Sequence, residues 1–272
     1  MWINDGNGVF TDNGKKLGDK AASMQIQLGD MDGDRDLDAC VVNNGSPNEL
    51  WLNDGLGNFV MSIQKIGGND PSYGLALGDL DGDGDLDSFV ANFDSGNQVF
   101  LNSGNGKFTD TDQRLGKGRS IDVALSDLDR DGDLDAVVAN MGEPNTIWTN
   151  TGNAVFFQAT NEFDSISSHG LIVVDFNKDK RPDVFFANTT DPDKVYIHIG
   201  SSSIGHAAAG SPERSDGPEE GVHREAEPAA QDERNAEKDD LPDLDDDELP
   251  KPKATRDSNN EARATPRDDR AP

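Results

Sequence analysis

Only one cysteine, Cys40, occurs in the 272 residues, so no intrachain disulfide can staple the fold. It lies in an apolar run with Val41 and Val42 and reads as an inert core thiol. Bases are scarce: 24 lysines and arginines face 53 acids, for a formal net charge of −29. That balance argues against nucleic-acid partners and anionic membrane surfaces, whose phosphates would be repelled. No stretch approaches the ~20 apolar residues of a membrane span. The N-terminus, Met1-Trp-Ile-Asn-Asp-Gly, has neither a basic region nor an apolar core, so it does not read as a signal peptide. No helical periodicity of useful length occurs in residues 1–200, which disfavours an α/β fold. Histidine is confined to His169, His198, His206 and His223, and no Ser-His-Asp or Cys-His arrangement is legible. No catalytic residue and no organic cofactor site is expected.

What the chain does have is aspartate, placed periodically. Four acidic stretches start at Asp30, Asp79, Asp127 and Asp175, spaced 49, 48 and 48 residues apart. The first carries Asp30, Asp32, Asp34, Asp36 and Asp38. The second carries Asp79, Asp81, Asp83, Asp85 and Asp87, and the third Asp127, Asp129, Asp131, Asp133 and Asp135. The fourth is degraded to Asp175, Asn177, Asp179, Arg181 and Asp183. Neighbouring carboxylates about 4 Å apart repel by about 4 kcal/mol at an effective dielectric near 20, so such loops want a cation.

Hard oxygens on alternate residues of a tight loop converge on one point, which suits Ca²⁺ better than Mg²⁺, with its stricter octahedron. Zn²⁺ would prefer His and Cys, which the loops lack. Position 12 falls on Val41, Val90, Val138 or Phe186, inside a strand, so the loop is not an EF-hand. Position 6 is Gly84 and Gly132 in two copies, where positive φ is easiest, but Arg35 and Lys180 in the others. Up to four Ca²⁺ ions are expected, structural rather than catalytic. The affinity order is the Asp79 and Asp127 loops first, then Asp30, then Asp175.

Strand signals keep the same period. Before each loop stand Ser23–Gly29, Ser72–Gly78, Ser120–Ser126 and Ser168–Val174, with apolar residues alternating in the first three. After each loop comes a continuous apolar run ending at Asn43, Asn92, Asn140 or Asn188, the pattern of a strand buried on both faces. A third strand covers Glu49–Asn53, Gln98–Asn102, Thr146–Asn150 and Lys194–His198, and a fourth is headed by Phe59, Phe108 or Phe156. Four short antiparallel strands in about 48 residues make one propeller blade, and blades must stack to bury their faces. The expected fold is all-β: a propeller or open propeller arc of four complete or nearly complete repeats, plus an N-terminal half blade. The last repeat shows no clear fourth strand. From about Ser201 to Pro272 the composition turns to Pro, Ala, Glu, Asp and Arg, with too little apolar surface to order itself, so residues 201–272 read as a disordered acidic tail behind a 1–200 repeat domain.

With loop, strand and turn in view, the chain resembles the FG-GAP/VCBS repeat superfamily. The residues that carry the likeness run from Gly78 through Asp87 to Asn92, and from Val99 to Phe108. The resemblance implies a calcium-bearing β-propeller akin to the integrin alpha N-terminal domain. It also implies a secreted or cell-surface setting, with the metal positions falling on the loop residues above. Family propellers commonly have more blades than the four acidic loops here. A small closed ring, an open arc, a fragment and an assembly between chains through open blade edges therefore all stay in view. Three functions are open. The first is a noncatalytic adhesion or recognition scaffold for a protein or glycan. The second is a polysaccharide-active hydrolase or lyase, and the third a structural spacer.

Overall fold

The computed structural model describes residues 1–18, 21–159, 163, 165–198 and 204–207. Met1–Arg214 and Ser215–Pro272 form separate units, and the blades belong to the first. Apart from 204–207, the acidic tail expected over 201–272 lies outside the described residues.

The described chain is all strand and turn. A hairpin of β1 (Trp2–Asn4) and β2 (Phe10–Asp12) opens it as a half blade. The first blade is β3 (Ser23–Gly29), β4 (Asp38–Asn43), β5 (Asn48–Asn53) and β6 (Phe59–Ile66). The second is β7 (Ser72–Gly78), β8 (Asp87–Asn92), β9 (Gln98–Asn102) and β10 (Phe108–Asp110). The third runs through β11 (Ser120–Ser126), β12 (Asp135–Asn140), the short β13 (Glu143–Pro144), β14 (Thr146–Asn150) and β15 (Phe156–Gln158). Within it, β13 leaves the sheet to pair with β16 (Ser165–Ile166). The fourth blade is β17 (Ser168–Val174), β18 (Asp183–Asn188), β19 (Lys194–His198) and β20 (Ile204–Ala207). Each blade is an antiparallel meander.

The fourth strand missing from the last repeat's sequence pattern is therefore present as β20, pairing His198 with Ile204 and Val195 with Ala207. It sits four residues into the segment assigned to the tail. Its sequence, Ile204-Gly-His-Ala207, has none of the Phe-headed pattern of the other outer strands.

Register explains how the acidic loops are closed. The residue before each loop pairs with the loop's ninth residue: Gly29 with Asp38, Gly78 with Asp87, Ser126 with Asp135 and Val174 with Asp183. Every first strand also carries a bulge near its start, between Ser23 and Gln25 and at the three equivalent places.

The core lies between blades. Cys40, Val42, Leu50 and Ile66 of the first blade meet Leu75, Val90 and Phe100 of the second. Phe89 and Val99 meet Val138, Trp148 and Phe156 of the third, with Phe89 and Phe156 edge to face at 5.4 Å. Val137 and Ile147 meet Leu171, Phe186 and Tyr196 of the fourth. The continuous apolar second strands are buried throughout in β8 and β12, as strands sandwiched by two neighbours must be. Burial pushes the Cys40 thiol up to about 12, consistent with an inert core group. Among the described residues no hydrophobic core joins the fourth blade to the first. Ile26 and Leu28 on the first, and Ile172 and Val174 on the fourth, remain exposed. The blades form an open arc.

Candidate metal centres

Each acidic loop is built by its own aspartates. In the second, Asp79 accepts from the Gly82 and Gly84 amides at 2.8 and 3.0 Å. Asp81 accepts from Asp83 N at 3.2 Å, and Asp83 from Asp85 N at 2.9 Å. The first loop repeats the scheme, with Asp30 on the Gly33 and Arg35 amides and Asp34 on the Asp36 amide. In the third, Asp127 accepts from Gly132 N and Asp131 from Asp133 N. The winding needs left-handed residues at the fourth and sixth places, not the sixth alone. These are Gly33 and Arg35, Gly82 and Gly84, Arg130 and Gly132, and Lys178 and Lys180, all with φ between 65° and 100°. Only the second loop has glycine at both places. Backbone strain alone is least in the second loop, intermediate in the first and third, and greatest in the fourth.

The ninth aspartates do something the alternating pattern did not reveal. Asp87 is fully buried and clamps two backbone amides, Leu80 N at 2.9 Å and Asn102 N at 2.8 Å. Asp38, Asp135 and Asp183 hold the equivalent pairs, so each ties its own loop to the third strand.

The structure brings the first, third and ninth residues together. Asp30, Asp32 and Asp38 each offer an oxygen within 4.8 Å of the others, as do Asp79, Asp81 and Asp87, and Asp127, Asp129 and Asp135. The fifth residues, Asp34, Asp83 and Asp131, stand outside these groups. The seventh carboxylates also stand outside them, which leaves that position its backbone carbonyl to offer: a Cβ on Gly55, Gly104 or Gly152 would lie 2.4, 2.4 or 2.5 Å from an oxygen of Asp36, Asp85 or Asp133. Those carboxylates rest on the turn between the third and fourth strands. In the fourth loop Asn177 stands where the others have an acid and bonds to Asp179 at 3.1 Å, while Arg181 uses its amide on Asp179. That leaves Asp175 and Asp183 as the acids at the first and ninth places.

Burial drives the carboxyls of Asp87 and Asp135 up to about 6. Burial first, then neighbouring carboxylates, raises Asp32; burial raises Asp81 and Asp129 too, their neighbours adding to it. Both causes penalise negative charge, and a bound cation would relieve both. The third loop adds an independent sign: Asp127 Oδ1 is buried without a hydrogen-bond partner among the described residues. Three converging carboxylates and an orphaned oxygen fit a hard cation, which would complete its six to eight oxygens from the loop backbone and water.

Residues 30–90, 79–138 and 127–186 each match the FG-GAP-like repeat, together spanning more than half of the chain. The chain belongs to the FG-GAP-like repeat family. Each FG-GAP-like match starts at one acidic loop and ends in the strand after the next, so the family unit takes in the same loops that hold the triads. No curated protein sequence matches this one. Among solved structures, the chain is similar to the crystal structure of BBS1N in complex with ARL6DN, soaked with lead, at 13% identity and a TM-score of 0.45. The likeness covers 66% of this chain, which spans about half of that one, 53%.

Sequence reasoning missed the residues that join blades. Gln64 Oε1 accepts from Phe108 N of the next blade at 3.1 Å, and Gln113 Oε1 from Phe156 N at 2.9 Å. A signal was present: both glutamines stand five residues after the phenylalanine that heads the outer strand.

Proposed function

We propose that this FG-GAP-like chain is a noncatalytic recognition scaffold, stabilised by calcium and working outside the cell on a protein or glycan. The observation that carries the reading is the acidic triad, rebuilt at the same place in three successive blades. The donors are all carboxylates, which favours Ca²⁺ over softer metals. The loop aspartates are spent on loop and strand hydrogen bonds, which supports a structural role for the ion rather than a catalytic one. Calcium is abundant outside cells, where modules often bind it at about 10⁻⁴–10⁻³ M, and that supports an extracellular setting.

Calcium titration of the chelated protein, followed by calorimetry and thermal melting, tests this. Three sites should fill, with a weaker fourth at Asp175–Asp183. The melting temperature should climb with occupancy, because an ion that binds only the folded loop stabilises it. Identical melting curves in EDTA and in millimolar calcium would sink the reading. Release of reducing ends from polysaccharides would replace it with an enzymatic one.

A further inference from the structure

A cavity of about 270 Å³ opens between the second and third blades, at the sheet ends remote from the acidic loops. Its walls include Asn97, Lys117, Ser120, Glu143, Trp148 and Gln158. A bridge present at the two flanking junctions is absent here. Between the first and second blades Asn48 Nδ2 donates to Ser72 Oγ at 3.2 Å, and between the third and fourth Asn145 Nδ2 donates to Ser168 Oγ at 2.9 Å. The matching pair at the middle junction is Asn97 and Ser120. Asn97 is only 2% exposed, and its Oδ1 accepts from Asn92 N at 2.9 Å. That bond fixes which way the amide faces, since the backbone N–H demands the oxygen. Its Nδ2 then has no hydrogen bond among the described residues. The nitrogen is not among the buried unpartnered atoms, so water reaches it from the cavity, and a ligand oxygen would take that water's place.

The rim is built to admit something. A Cβ on Gly116 would stand 3.2 Å from the Trp148 ring, and one on Gly118 would stand 2.8 Å from Glu143 Oε2, so these two glycines keep the ring edge and the carboxylate reachable. Lys117 lies between them, and neither it nor Glu143 is in an ion pair among the described residues. One positive and one negative rim charge give the opening no net charge, so it does not favour a ligand of net charge over a neutral one. The volume falls just under the ~300–1,000 Å³ of drug-sized sites, which suits a single ring. Donors, acceptors and an aromatic edge around one ring-sized space are the chemistry of a hydroxyl-rich ring.

We propose that this inter-blade cavity binds one neutral sugar residue, with Asn97 Nδ2 donating to a hydroxyl and Lys117 and Glu143 gripping it from the rim. The proposal rests on the recognition-scaffold reading and gives it a ligand class. The experiment is titration of the calcium-loaded protein with glucose, galactose, mannose, fucose and N-acetylglucosamine, by calorimetry and saturation-transfer NMR. Asn97→Asp is the decisive variant. Asp193 holds the same place in the fourth blade, and its Oδ1 accepts from Asn188 N at 2.9 Å, so an aspartate keeps the backbone bond; Asp193 is exposed and Asn97 buried, so the variant costs stability as well. At least one sugar should bind with one-to-one stoichiometry, and Asn97→Asp, assayed well below its own melting temperature, should weaken it about tenfold while calcium binding stays as in the parent. Glu143→Gln should weaken it less. Failure of all five sugars, or unchanged affinity in Asn97→Asp, overturns the proposal. Melting with and without calcium is recorded on the same samples. A calcium shift without sugar binding removes this proposal alone, whereas a missing calcium shift removes the scaffold reading beneath it.

Discussion

Asn102 donates its side-chain amide to the Met31 carbonyl at 2.8 Å, although the two lie in different blades. Met31 is the second residue of the first acidic loop, and its carbonyl also accepts from Gly106 N at 2.7 Å. One blade later Asn150 and Ala154 N reach the Leu80 carbonyl at 2.8 and 3.0 Å. The first two acidic loops are thus sockets for the turn of the following blade.

Truncating that link should be felt globally. Asn102 is buried, so Asn102→Ala is expected to destabilise by about 1–3 kcal/mol in saturating calcium. Urea unfolding gives the number, and an unchanged midpoint would deny the socket any energetic weight.

The clamp and ligand roles of the aspartates separate by chelation. Asp87→Ala strips the partners from two buried amides, at about 1–3 kcal/mol each, and should destabilise even in EDTA. Asp81→Asn keeps the loop's shape and should destabilise only where calcium is present. Equal losses for both variants in both conditions would contradict the division.

Loop strain predicts a contrast between two alanines. Gly84 sits at φ 94°, and Gly84→Ala should cost about 1 kcal/mol. Arg35 fills the same place at φ 75° and already carries a Cβ, so Arg35→Ala should stay within about 0.5 kcal/mol of the parent. Paired melting curves decide it.

Asp122 supplies a pH test. Its carboxylate accepts from Leu171 N of the next blade at 3.0 Å and from Val123 N at 2.9 Å. Burial raises it above the ordinary carboxylate range despite those bonds. A group whose folded pKa is raised gives its full stabilisation below the unfolded value, here 3.8, and loses it as pH rises through the folded one. Asp122→Asn cannot titrate. The stability advantage of the parent over this variant should therefore be largest near pH 4 and narrow towards pH 7. Denaturant unfolding at several pH values reads the gap, and a gap that widens instead would reverse the assignment.

Much of the fold could be read from spacing because each blade repeats the same local problem. Ser72–Gly78, Gln98–Asn102 and Lys194–His198 are strands with the very bounds that alternation and turn residues suggest. The triads were half legible: aspartate on alternate residues announces an ion, but not which oxygens turn inward. That depends on φ at Gly82 and Gly84, and on the turn glycine Gly104 against which Asp85 rests. The links between blades were least legible. Gln64 meeting Phe108, or Gln25 meeting Leu75 N, joins residues more than forty positions apart, and periodicity does not say which side chain reaches which amide. The cavity beside Asn97 lay further out of reach, since it adjoins the one junction that lacks the bridge found at the other two.

The sockets also have a direction. Met31 and Leu80 precede in the chain the asparagines that dock on them. On a ribosome the receiving loop would emerge and wind before the docking turn had been made. Assembly would then run forward from the N-terminal side, each finished blade serving as the template for its successor.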